Sequence, residues 1–264
     1  MKIHDQHVHS YYSFDSKQRI EEYLDKATSI GLDYFVLTDH CDLNFLNRGK
    51  DIFFDVQKQQ KELEELQKKY PNIKILRGIE IGYKPNALNR IESIIKDNHF
   101  DLINLSLHES DEIDYYYYEE FKKHDINKTL RLYFSRQLEM VQNYDDYDVL
   151  CHVDYGFKSA YLGDNSLDIS KYENIISRIF KEIIRKEKAL EINVKVQEVL
   201  PVEHTKYLLN LYKKLGGTYL TISTDSHSSE KYYKNIDKYI ALAKESGFTH
   251  LTYFIDRKKH LLAI

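Results

Sequence analysis

Seven short β-rich runs, each followed by a segment with helical apolar spacing, limit what this 264-residue chain can fold into. The runs are 2–8, 34–37, 73–79, 102–107, 148–152, 189–193 and 219–223, with a candidate eighth at 251–254. Helical periodicity covers 20–30, 53–70, 86–97, 127–144, 170–186, 203–215 and 231–247. In the first of these, Ile20, Tyr23, Leu24, Ala27 and Ile30 share one face, and Gly31 follows as a helix C-cap would. Repeated strand-then-helix order predicts parallel strands with helical crossovers. Pro71, Pro85 and Pro201 fall in connections or near helix starts, and no Pro- or Gly-rich linker divides the chain. One α/β domain over 1–264 is expected, at the size of a single α/β barrel of about 250 residues.

Composition narrows the partners. With 42 acidic residues against 38 Lys and Arg the formal charge is −4, so there is no basic excess to neutralise a phosphate backbone, and no nucleic-acid partner is expected. The first residues lack an apolar leader core, and no run approaches the roughly 18 apolar residues of a membrane span. A cytoplasmic protein without a membrane partner is expected. Two cysteines, Cys41 and Cys151, exclude a disulfide framework and a Cys-x-x-Cys zinc knuckle. Each adjoins a metal-ligand type, so in extended backbone each is expected to point away from it and pack.

The runs end in metal-ligand types. His7 and His9 close the first, His40 follows the second, Glu80 the third, His108 the fourth and His152 the fifth, while Asp225 and His227 follow the seventh. Side chains two apart on a strand share a face, so His7 and His9 point inward together. The C-terminal strand ends are where barrel active sites are built. Asp15, in the loop after the first run, reaches the same mouth, and the sixth run offers Glu191-Ile192-Asn193 with Lys195 beyond. A lone His or Glu at a strand end is usually a hydrogen-bonded rim residue; six of seven runs ending this way point instead to one catalytic metal cluster, with more ligands than a single zinc ion uses. His4, His99, His124, His204 and His260 fall outside the pattern and read as surface or core residues.

On these residues the chain resembles the polymerase and histidinol phosphatase (PHP) superfamily, in particular its stand-alone histidinol-phosphate phosphatases. His7-Val8-His9, Thr38-Asp39-His40, Gly78-Ile79-Glu80, His108, His152 and Asp225-Ser226-His227 carry the likeness over essentially the full length. The resemblance implies a distorted seven-stranded βα barrel of the TIM type with three divalent ions at its mouth, and zinc, manganese or iron suit such mixed ligands. It implies His7, His9, Glu80 and Asp225 around one ion, Glu80 bridging to a second held by His108 and His152, and Asp15, His40 and His227 on the third.

Such a centre suits hydrolysis of a small phosphate monoester, L-histidinol phosphate in the first place, as a step of histidine biosynthesis. A metal-bridging hydroxide is the expected nucleophile, attacking phosphorus in line without a phosphoenzyme. Lys158, Lys195 and Asn193 are the candidate phosphate contacts. The family often carries Arg in these loops; Lys keeps the charge but not the bidentate fork. Asp42, Glu109 and Tyr155 adjoin ligands and are candidates for recognising the amine and imidazole, and Tyr115–Tyr118 are candidates for a lid. The competing readings are a phosphoesterase of the same fold acting on nucleotides, oligonucleotide ends or phosphotyrosine, and a non-catalytic module of a polymerase-type assembly. Oligomeric state is not legible.

Overall fold

The computed structural model of the chain describes residues 4–45, 49–110 and 112–264. Helix α1 (Ile20–Ser29) buries Ile20, Tyr23, Leu24 and Ala27 and stops before Gly31, whose φ of +72° glycine adopts without penalty. Strands β1 (Tyr34–Leu37) and β2 (His40–Phe45) follow, then β3 (Lys50–Phe53) and α2 (Val56–Lys69), capped by Asp55 accepting the Lys58 N–H. Next come β4 (Lys74–Gly82), α3 (Leu88–Asp97), β5 (Leu102–Ser106), the small hairpin β6 (Glu109–Ser110) and β7 (Ile113–Asp114), α4 (Tyr118–Lys122) and α5 (Ile126–Asn143). The chain continues through β8 (Val149–Leu150), α6 (Tyr155–Gly163), α7 (Glu173–Arg185), β9 (Ala189–Asn193), α8 (Val194–Gln197), α9 (Val202–Lys214) and β10 (Leu220–Ser223). It ends with α10 (Ile236–Glu245), β11 (His250–Ile255) and β12 (Lys258–Ala263).

The main sheet runs β10-β9-β8-β5-β4-β2-β3, with β1 also paired to β4. All pairings are parallel except β2 with β3. The second run is therefore two strands: β1 lies along Lys74–Arg77 and β2 along Glu80–Gly82, with a break at Thr38 and Asp39. That break frees Thr38 and Asp39 to hold the first run. Residues 2 and 3 of that run lie outside the described residues, and 4–10 form no regular strand. Val8 bridges Ser226 in parallel, the His9 N–H donates to the Ser226 carbonyl (2.8 Å) and the Thr38 N–H to the Val8 carbonyl (2.9 Å). Side chains replace the remaining ladder partners. The Thr38 hydroxyl accepts the Val8 N–H, and Asp39 Oδ1 accepts the Ser10 N–H. The segment thus links Ser226, after β10, to Thr38 and Asp39, after β1, and carries His7 and His9 inward.

Below the mouth, Val36, Leu76, Leu102, Val149, Cys151, Ala189 and Phe254 form a small apolar floor. A larger core of aliphatic and tyrosine side chains, with Tyr133, Tyr172 and Tyr212 fully buried, lies between the sheet and α3, α5, α7, α9 and α10.

Several boundaries differ from the sequence expectation. Residues 251–254 are not an eighth barrel strand: β11 pairs antiparallel with β12, because Asp256 and Arg257, at φ +51° and +60°, turn the chain back in a two-residue hairpin. The Gln6 side chain binds this ribbon as a strand would, donating to the Thr252 carbonyl and accepting the Phe254 N–H. The helix read at 231–247 begins only at Ile236, after Tyr233 and Asn235 with positive φ, and the one read at 53–70 begins at Val56 because Lys50–Phe53 pair with β2. Among the described residues no helix is long and apolar enough to cross a membrane.

Candidate metal centre

Strand β4 brings Glu80 to the centre of the mouth, with His40 of β2 opposite it in register on one side and Asn104 of β5 on the other. Two atoms held at about 2.0–2.1 Å on one tetrahedral ion lie roughly 3.3–3.4 Å apart. His7 Nε2 lies 3.3 Å from Glu80 Oε1, His9 Nε2 3.4 Å from Glu80 Oε2 and 3.3 Å from Asp225 Oδ1. Those spacings fit one shared ion better than direct hydrogen bonds. His7 Nε2, His9 Nε2 and Glu80 Oε2 are buried without any hydrogen-bond partner, which is costly unless a cation fills the gap.

Around Glu80 the other donors close in. His108 Nε2 lies 3.3 Å and His152 Nε2 2.9 Å from Oε1, and His40 Nδ1 2.9 Å from Oε2. Asp15 Oδ2 is 2.9 Å from His227 Nε2 and 3.6 Å from His40 Nε2. Four donor trios from this set, His7-His9-Glu80, His7-His152-Asp225, His40-Glu80-His108 and His9-His40-His227, each have ligand atoms within 4.8 Å of one another. All nine sequence candidates converge on one place, and the trios share members, as a polynuclear site requires. His152 and Asp225 reach it from left-handed backbone, φ +23° and +50°, at a cost of order 1–3 kcal/mol each.

A second ring of groups orients these ligands, and the sequence reading did not single out its members for that task. Glu191 accepts from His7 Nδ1 (2.8 Å), from the His152 N–H (2.9 Å) and from Asn193 Nδ2 (3.1 Å). Asp42 accepts from His108 Nδ1 (2.7 Å), so both imidazoles turn Nε2 toward Glu80. Ser13 Oγ lies 3.1 Å from His9 Nδ1 and donates to Asp39, which also accepts from Ser10 and Gln59. The available signal was parity: Glu191 lies two residues before Asn193 on the inward face of β9, as Asp42 lies two after His40 on β2.

Electrostatics follow from this packing. Burial pushes the His7 imidazole down, but Glu191 and Glu80 overcome it and hold it well above its ordinary value. Burial likewise opposes His40, which Glu80 raises, and His108, which Asp42 and Glu80 bring to about 10. His9 is driven well below the usual range by burial and by His40 and His227. Glu80 stays ionised: burial works against it, and His7, His40 and His108 hold it well below the usual range. Cations seated here would replace the protons on these imidazoles, since a ligating histidine is neutral.

The mouth opens into a cleft of about 370 Å³. Lys158 on α6 and Lys195 on α8 line it with Asp42, Asp114, Tyr155, Phe14, Phe45, Tyr116 and Tyr117. Burial, then the nearby Lys195, brings the Lys158 ammonium down to about 8; it rests over the Tyr155 ring at 4.5 Å. Lys195 Nζ lies 3.4 Å from Asp225 Oδ2 and 3.2 Å from His227 Nδ1. Asn193 is fully buried behind these groups, caps α8 by accepting the Val196 N–H and donates to Glu191. Glu109 pairs with Lys84 to one side of the cleft. In the tyrosine run Tyr115 is buried, whereas Tyr116 and Tyr117 are about half exposed at the rim. Cys41 packs in the outer core, as expected. Cys151 instead points inward, with His7 and Glu191 as near neighbours, because left-handed His152 breaks the strand alternation on which its outward reading rested.

Buried imidazoles and carboxylates at metal spacing on the C-terminal ends of parallel strands define an α/β metalloenzyme fold. Residues 5–195 match the PHP domain family, and the chain belongs to it. It is 32% identical to the histidinol-phosphatase of Lactococcus lactis subsp. lactis (strain IL1403), over 98% of each chain. The crystal structure of histidinol phosphate phosphatase from the same organism, complexed with zinc, L-histidinol and phosphate, superposes with a TM-score of 0.88 at 29% identity, covering 97% of this chain and 98% of that one. A putative histidinol phosphatase from Listeria monocytogenes shares the fold at a TM-score of 0.69 and 15% identity, over 90% of this chain and all of the other.

Proposed function

We propose that the chain, acting as one domain over 1–264, is a metal-dependent phosphomonoesterase that hydrolyses L-histidinol phosphate to L-histidinol and phosphate, a cytoplasmic step of histidine biosynthesis. The observation that carries this is the tetrahedral-edge spacing of the orphaned His7, His9 and Glu80 atoms and the Asp225 carboxylate, at a cleft that Lys158 and Lys195 also line. His7, His9, Asp15, His40, Glu80, His108, His152, Asp225 and His227 would hold three divalent ions, zinc, manganese or iron, and the full-length likeness to a zinc-bound relative supports that set. Bound there, such ions supply Lewis acidity toward phosphoryl oxygens and lower the pKa of coordinated water.

The chain's own groups do the rest. Lys158 and Lys195 donate to the phosphoryl oxygens and offset their charge as it redistributes. Glu191 and Asp42 keep His7 and His108 in the tautomer that faces Glu80. The aromatic rim and the carboxylates Asp42 and Asp114 suit a leaving group that carries an amine and an imidazole. Purified protein should contain divalent metal and release phosphate from L-histidinol phosphate well ahead of nucleoside monophosphate and phosphotyrosine controls. A clear preference for either control overturns the substrate, and bound metal without turnover of any phosphate ester overturns the enzyme reading.

A further inference from the structure

Outside the metal centre, the described residues hold a buried polar network that the proposed chemistry leaves unused. Asp154 Oδ2 accepts from His204 Nε2 (2.7 Å) and from Gln197 Nε2 (2.6 Å), and Gln197 Oε1 accepts from the Thr205 hydroxyl (2.8 Å). All four side chains are at most 5% exposed. They come from three elements. Asp154 immediately precedes α6, Gln197 ends α8, and His204 and Thr205 sit in the first turn of α9.

Those elements matter because α6 carries Lys158 and α8 carries Lys195. The Lys158 N–H donates to the Asp154 carbonyl (2.8 Å), so Asp154 fixes the first turn on which that lysine stands. Gln197 is two residues from Lys195 in a helix of four residues, too short to hold its own direction. We propose that Asp154, Gln197 and His204 are positioning residues, a clamp that fixes α6 against α8 and so sets the spacing at which Lys158 and Lys195 grip a phosphoryl group. This rests on the reading of those lysines as phosphate contacts.

A carboxylate taken this far from water is costly unless its acceptor sites are filled, so the arrangement is all-or-none and tolerates little drift of α6 or α8. Phe157 of α6 also packs on the His204 ring, at 5.1 Å between centroids, which adds an apolar contact to the same joint.

The test uses His204→Ala, with Gln197→Ala as the milder variant and His204→Gln as the conservative one. The expected result is a rise of roughly tenfold in KM for L-histidinol phosphate and in the inhibition constant of inorganic phosphate, about what one lost charged hydrogen bond yields. Metal content should be unchanged and kcat much less affected. His204→Gln, which restores a donor, should recover most of the loss. In the Lys158→Ala background the His204→Ala effect should shrink sharply, because the clamp then has only one lysine to place. Lower thermal stability with unchanged KM and inhibition constant, or effects that multiply fully with Lys158→Ala, overturn the proposal. Should wild-type protein not turn over the ester, phosphate binding by calorimetry reads the same variants, so failure of the substrate assignment stays separate from failure of the clamp. A variant that does not fold leaves Gln197→Ala to decide the matter by the same two constants.

Discussion

Glu191→Gln tests whether a carboxylate outside the nine-residue candidate set governs the metal centre. Glu191 receives three donors: His7 Nδ1, the His152 N–H and Asn193 Nδ2. Glutamine keeps the volume but offers one acceptor oxygen, and its amide nitrogen must face a donor. One of the three is then left unmet in a site that is 2% exposed, at a cost of about 1–3 kcal/mol. If His7 is the group that suffers, it loses both its tautomer lock and its charged partner. Comparable outer carboxylates are worth roughly 10–100-fold in metal affinity, or about 1.4–2.7 kcal/mol. The assay is phosphate release against free metal in a chelator-buffered series. The half-saturating metal concentration should rise by that factor, with turnover recovering at saturating metal. An unchanged metal curve refutes the reasoning, and so does activity that stays low although the protein is fully loaded.

The remaining predictions concern other parts of the same mouth. A Cβ on Gly82 would sit 2.7 Å from Asp42 Cγ and 3.4 Å from His108 Nδ1, so Gly82→Ala should break the Asp42–His108 bond, cost about 1–3 kcal/mol in thermal unfolding and lower activity; a neutral result contradicts the packing. Glu80→Ala and His9→Ala should abolish turnover and reduce bound metal while the circular-dichroism spectrum stays native, and undiminished activity would contradict the cluster. Lys158 has a folded pKa of about 8 against an unfolded value near 10.5, so the folded state binds fewer protons between those values and stability should rise with pH across that window. Phosphate binding runs the other way: KM should climb as pH rises through about 8, and Lys158→Arg should flatten that climb because Arg stays charged. The same pH slope in both proteins would remove Lys158 from phosphate binding.

Much of the fold was legible because its signals are local. Alternation of two along the strands located β4, β5, β9 and β10 and put His7 and His9 on one face, and the 3.6-residue stripe with Gly31 behind it located α1. The errors fall where side chains or backbone signs replace the periodic rule. The ladder of the first run is completed by Thr38 and Asp39 side chains, and the ribbon at 250–263 depends on two left-handed residues at its turn. Short helices such as α8 carry too few residues for periodicity to register.

By itself the sequence determined which donors stand at the strand ends, eight metal-ligand residues in an order that follows the strand–helix alternation, with Asp15 in the loop after the first run. Only the tertiary structure decided which nitrogen each imidazole presents, that Cys151 faces inward beside His7, and that Glu191 and Asp154 hold ligands and helices supplied by other elements. The reason is range. Side-chain parity is set by neighbours one or two residues away, whereas the His7–Glu191 contact joins residues 184 apart and the Asp154–His204 contact residues 50 apart, and no local pattern records which buried acceptor a distant donor finds once the sheet has curled.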